Sequence, residues 1–181
     1  MSEDLIASLE ATGDYRVLRR LQPMTRFNAL DGIESRLAVF LDTETTGLNP
    51  SKDEIIELAM VPFRYGMDGR IHEVGEAFDQ LQAPASGHVP EEITRITGIT
   101  DEMVSGRTID AARVAEIAGE AALVIAHNAG FDRKFVERAF PVFAEKSWAC
   151  SMNEIPWAEE GFDGQKLEYL AMKSGFFYDG H

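Results

Sequence analysis

The chain of 181 residues contains a single cysteine, Cys150. One cysteine excludes an intrachain disulfide framework and any zinc site built from cysteines, and it fits a reduced, cytoplasmic setting. Basic residues are scarce. Lysine and arginine number 17 against 31 acids, a formal net charge of −14. That balance argues against a protein that coats nucleic acid with a broad basic face, because nonspecific affinity comes from neutralised phosphates. It leaves room for an enzyme that grips a few nucleotides at a cation, where the bound ion reverses the local charge logic. Long apolar runs are missing as well. Nothing approaches the roughly 20 residues of a membrane span, and the N-terminus lacks the basic and apolar regions of a secretory signal. The share of apolar residues is 45% and of charged residues 27%. These proportions suit one folded domain and not a disordered tail.

Two regions differ in pattern. Residues 1–36 carry Leu5, Ile6 and Leu9 and then Val17, Leu18 and Leu21 at helical spacing, interrupted by Gly13, which predicts a helical extension ending near Pro23. Arg16, Arg19, Arg20 and Arg26 form a small basic cluster there, either a contact for substrate or partner or a solvated face. Residues 37–181 begin as strands: the apolar run Leu37–Leu41, then Glu54–Tyr65, then Arg70–Leu81 after a Gly-rich turn. Short connections make these an antiparallel meander. Helices are expected from Pro90, from Thr108 to about Ala121, over Asp132–Ala139 and over Gln165–Lys173. Strands are expected at Ala122–His127 and Ser147–Met152. The pattern predicts an α/β domain with a mixed five-stranded sheet and flanking helices.

The chemistry concentrates on Asp42 and Glu44, at the end of the first apolar strand in Phe40-Leu41-Asp42-Thr43-Glu44-Thr45-Thr46-Gly47. Side chains alternate along a strand, so the two carboxylates share a face and Thr43 points away. Paired carboxylates repel, and a hard divalent cation with oxygen ligands relieves the conflict. Gly47 permits a sharp turn or a close approach. A third acid, Asp132, follows another apolar strand in Ala126-His127-Asn128-Ala129-Gly130-Phe131-Asp132. It either joins the pair, if the two strands are neighbours, or complements a helix dipole. Asn128 either caps that helix or meets a ligand.

These segments resemble the motifs of the DnaQ-like DEDDh 3′–5′ exonucleases, the family of proofreading subunits, ribonuclease T and oligoribonuclease. Asp42-Thr43-Glu44-Thr45-Thr46-Gly47-Leu48 resembles the first motif and Ala126–Asp132 the second. Ile96-Thr97-Gly98-Ile99-Thr100 is similar to a segment near the substrate. The resemblance implies a ribonuclease H-like fold and hydrolysis of 3′-terminal phosphodiesters of single-stranded DNA or RNA with two divalent ions, Mg²⁺ or Mn²⁺. It implies Asp42, Glu44 and Asp132 as metal ligands and catalytic residues, and His181 as general base. It further implies Thr45, Leu48 and Asn128 as substrate contacts, with a polymerase partner or a homodimer left open. The family's third motif reads His, four residues, Asp. The chain ends at His181, so the fourth carboxylate is expected beyond it, in a domain cut short at its catalytic edge. A non-catalytic nucleic-acid or polymerase-binding module with this fold is the alternative, and a phosphatase acting on small nucleotides is a third reading.

Overall fold

The computed structural model describes residues 2–29 and 31–179. They fall into two compact units, residues 2–23 with 156–179, and residues 24–29 with 31–155.

The larger unit is built on a mixed sheet. Strand β2 (Ser35–Thr45) runs antiparallel to β3 (Ile55–Gly66) and parallel to β6 (Leu123–Ala126), which pairs in parallel with β7 (Trp148–Cys150). The expected third strand, Arg70–Leu81, is two strands. β4 (Ile71–Val74) pairs with Phe63–Tyr65, and β5 (Phe78–Leu81) pairs with Glu57–Met60. They lie end to end along one edge of β3. The interruption is at Gly75, whose amide donates to Pro62 O at 2.7 Å. A Cβ there would stand 3.0 Å from the Pro62 ring. The sheet order is therefore β4 or β5, then β3, β2, β6 and β7. This is the mixed α/β arrangement anticipated above, with the meander antiparallel.

Helices follow their caps. The α2 helix (Glu91–Thr97) ends at Gly98, which is left-handed at φ 76. A short helix that the sequence pattern did not predict, α3 (Asp101–Val104), starts at Thr100, whose side chain accepts from Met103 N. Asp110 caps α4 (Ala111–Glu120) by accepting from Ala112 N and Arg113 N. The α5 helix spans Ala129–Ala139. One face of the sheet contributes Val39, Leu41, Leu58 and Met60 to the core. Val114, Ile117 and Ala118 of α4 and Phe135 and Val136 of α5 pack onto it. Burial of this kind is the main stabilising term.

In the smaller unit the helix α1 covers only Ser2–Glu10. Helical spacing predicts helix through Val17, Leu18 and Leu21 as well, and that expectation is corrected. Left-handed Gly13 stops the helix, and Arg19–Arg20 form β1, paired in parallel with β8 (Phe176–Phe177). Long-range pairing outweighs the local pattern. The α6 helix (Leu167–Lys173) ends under Arg16, which donates to Met172 O at 3.0 Å and Lys173 O at 2.6 Å. Arg19 pairs with Glu3 and Arg20 with Asp179. In the larger unit Arg26 pairs with Glu73. Arg16 thus caps α6, while Arg19, Arg20 and Arg26 make exposed surface ion pairs. No described helix is long and apolar enough to cross a membrane.

Candidate active site

The end of β2 is the centre of the candidate site. Thr43 and Thr45 are buried, while Asp42 is exposed and Glu44 half-buried. The alternation places the two carboxylates on one face, as the strand period requires.

Asp132 arrives from α5. Residues Ala38–Phe40 of β2 pair with Leu123–Ile125 of β6, so the loop after β6 delivers α5 to the end of β2. The Thr43 amide and hydroxyl both donate to Asp132 Oδ1, at 3.1 and 2.8 Å. The third acid therefore docks on the threonine between the other two. Asp132 is 2% exposed. Burial pushes its carboxyl up to about 6; the Thr43 hydroxyl pulls it down, and the charge of Asp42 raises it further. The first turn of α5 also favours its anionic form.

Asn128 precedes α5 at φ 75, the one non-glycine residue with positive φ among those described. Its left-handed turn starts the helix at Ala129, three residues before the expected start at Asp132. Its side chain makes no cap hydrogen bond, so the capping alternative does not hold. Such conformations are tolerated by Asn and recur at functional sites. His127 Nδ1 lies 3.0 Å from Ser151 Oγ, a structural contact.

After Glu44 the chain turns through residues 46–54. The Thr45 hydroxyl donates to Gly47 O at 2.6 Å, so it shapes this loop from within. Gly47 leaves room for the Asp53 carboxylate: a Cβ there would stand 2.6 Å from Asp53 Oδ2, and that side chain would have to move. Leu48 is 82% exposed, which rules out the packing role for its side chain. Of the residues singled out from sequence, Asp42, Glu44, Thr45, Leu48, Asn128 and Asp132 thus lie on β2, its following loop and the start of α5. His181 lies outside the described residues.

Three contributors went unread. Thr43 orients Asp132. Glu57 stands directly across from Glu44 in the β2–β3 register and shares its face. The signal was an acid within the apolar strand Ile55-Ile56-Glu57-Leu58-Ala59. Like charges opposed across a strand pair are unfavourable without a counter-charge. The third is Arg138, whose Nη1 and Nη2 donate to Pro50 O and Asp53 O.

The carboxylates offer only oxygen donors, and Asp42 disfavours the charge on Asp132. That donor set fits a hard divalent cation. Among the described residues no three Asp, Glu, His or Cys side chains already stand together as a metal cluster. Thr43 uses only Oδ1 of Asp132.

The sequence profile of the RNase T exonuclease family matches residues 39–160, from the core of β2 to beyond β7. The chain belongs to this exonuclease family. The family and the mixed α/β fold are those of the DnaQ-like exonucleases. The PolC-type DNA polymerase III of Thermotoga petrophila is 34% identical to this exonuclease domain over 156 residues, 84% of the chain and 10% of that protein. The Listeria welshimeri PolC-type enzyme is 39% identical over 158 residues, 83% of the chain and 10% of that protein. A DNA polymerase III subunit epsilon-like protein of Rhodobacter capsulatus is 39% identical over 107 residues, 55% of the chain and 14% of that protein. The exonuclease domain thus spans about a tenth of the length of its PolC-type relatives. Its fold resembles E. coli exonuclease I in complex with a 5cy-dT13 oligonucleotide. The TM-score is 0.64 at 18% identity, over 81% of this chain and 38% of that one. An apo exonuclease I gives 0.58 at 21% identity, over 81% and 39%.

Proposed function

We propose that the chain is a metal-dependent 3′–5′ exonuclease domain that removes nucleoside monophosphates from single-stranded ends of DNA or RNA. The observation that carries this reading is the Thr43–Asp132 contact, which fixes the acid of α5 on the residue between Asp42 and Glu44, near enough for the Asp42 charge to raise its pKa. Asp42, Glu44 and Asp132 would hold two divalent ions, Mg²⁺ or Mn²⁺. When bound, such ions supply Lewis acidity at the phosphate and at the attacking water. His181 takes the proton from that water as general base. Leu48 meets the terminal base, with a contact that tolerates different bases. Asn128 offers its amide to the sugar or phosphate. Thr45 acts through the loop that its hydroxyl braces. The partner class is a DNA polymerase, as the names of the relatives suggest.

The test uses oligonucleotides labelled at either end, with Mg²⁺ or Mn²⁺. The expected result is stepwise shortening from the 3′ end, reduced at least 100-fold in Asp42→Ala. Shortening from the 5′ end, or full activity in Asp42→Ala, refutes the reading. Binding without shortening favours the non-catalytic module.

A further inference from the structure

We propose that Arg138 is a positioning residue that holds the Leu48 loop in register with the acid-bearing helix and so sets the preference for a polynucleotide end. The proposal rests on the exonuclease reading above.

The loop is preorganised at its base. Thr46 N donates to Glu54 O at 2.9 Å, and Glu54 N donates to Thr46 Oγ1 at 3.0 Å. Asn49 N donates to Asp53 Oδ2 at 2.7 Å, and Asp53 N to Asn49 O at 2.8 Å. This tight turn projects Leu48 into solvent and presents the Pro50 and Asp53 carbonyls to α5. The two arms of the Arg138 guanidinium take one carbonyl each.

The helix that supplies this clamp also supplies Asp132. Asp132 lies in the first turn of α5 and Arg138 in the last. One rigid element thus connects the acid that joins the β2 pair to the loop that exposes Leu48. The loop begins two residues after Glu44. It is tied to the acids at one end by β2 and along its far side by Arg138. A planar fork with two donating nitrogens suits two carbonyls, which a lysine ammonium does not reproduce. The charge also lies favourably at the helix C-terminus, and the guanidinium carbon is 5.9 Å from the Phe135 ring centroid. A loosened clamp lets Leu48 drift while the acids stay in place. Its cost falls on substrates with a second base, because Leu48 meets the terminal base as a wedge between it and the next one.

The experiment compares two substrates in wild type, Arg138→Ala and Arg138→Lys. One is a single-stranded oligodeoxynucleotide. The other is the p-nitrophenyl ester of thymidine 5′-monophosphate, which has no second base. The ratio of kcat/KM for oligonucleotide over ester should fall about tenfold in Arg138→Ala, mostly through KM. Arg138→Lys should move the same way, although it keeps the charge at the helix end. Adding Leu48→Ala to Arg138→Ala should lower the ratio no further than the worse single variant. A ratio unchanged within twofold, or equal losses on both substrates, overturns the proposal. Failure of the underlying reading is separately visible, because wild type itself then leaves the 3′ end intact.

Discussion

Asp132 combines burial, a hydroxyl donor and a nearby negative charge, and their sum is unfavourable to its ionised form. Its folded pKa of about 6 lies above the ordinary carboxyl value of 3.8. Between those values the folded chain binds a proton that the unfolded chain has lost. Metal-free stability should therefore rise as pH falls from 7 towards 5, and the penalty is fully present above the folded pKa. Two units correspond to about 3 kcal/mol. Asp132→Asn keeps an acceptor for Thr43 and removes the charge. Its metal-free melting temperature at pH 7 should exceed that of wild type, with a flatter pH dependence and lost activity. Thermal melts from pH 5 to 8 decide this, and an Asn variant that melts lower at pH 7 contradicts it. Thr43→Val keeps the shape and loses the hydroxyl. It should cost about 1–2 kcal/mol and move the acid limb of the pH–activity profile to higher pH, since the hydroxyl favours the carboxylate.

At the scale of elements, the start of α5 separates conformation from chemistry. Asn128→Ala should destabilise by about 1 kcal/mol, the cost of a left-handed residue with a Cβ. Asn128→Gly should not destabilise the chain through that cost. If the amide meets substrate, both variants lose activity alike, so melts and kinetics diverge. Gly47→Ala forces its Cβ onto the Asp53 carboxylate and should weaken oligonucleotide turnover with little change in melting temperature. These elements also show how much was legible. The apolar run before Asp42, the face shared with Glu44 and the helix after Asp132 could be read from strand period and helix signals. The start of α5 could not, because it depends on one αL residue. The break between β4 and β5 depends on Gly75 meeting Pro62 across the sheet. Arg19–Arg20 became a strand through pairing with Phe176–Phe177, which lies more than 150 positions away. Arg138 reads as a surface charge until the loop 88 residues upstream in sequence is placed beside it.

For the whole molecule, charge is the governing quantity. At −14, a long nucleic-acid footprint would meet repulsion outside the site. The acids at the end of β2 are part of that charge, and under the proposed function a bound divalent cation would turn them from a barrier into the point of attachment. Oligonucleotide affinity should therefore depend on divalent metal. Its salt slope should be shallow, matching a few phosphate contacts. Titrations at several salt concentrations, with and without Mg²⁺, measure both. The most direct test of the central claim is the identity of the first product from an oligonucleotide blocked at one end, then at the other. The account predicts nucleoside monophosphate from the 5′-blocked strand and none from the 3′-blocked strand, only with divalent metal and not from Asp132→Asn. Release from the 3′-blocked strand, or metal-independent release, would contradict it.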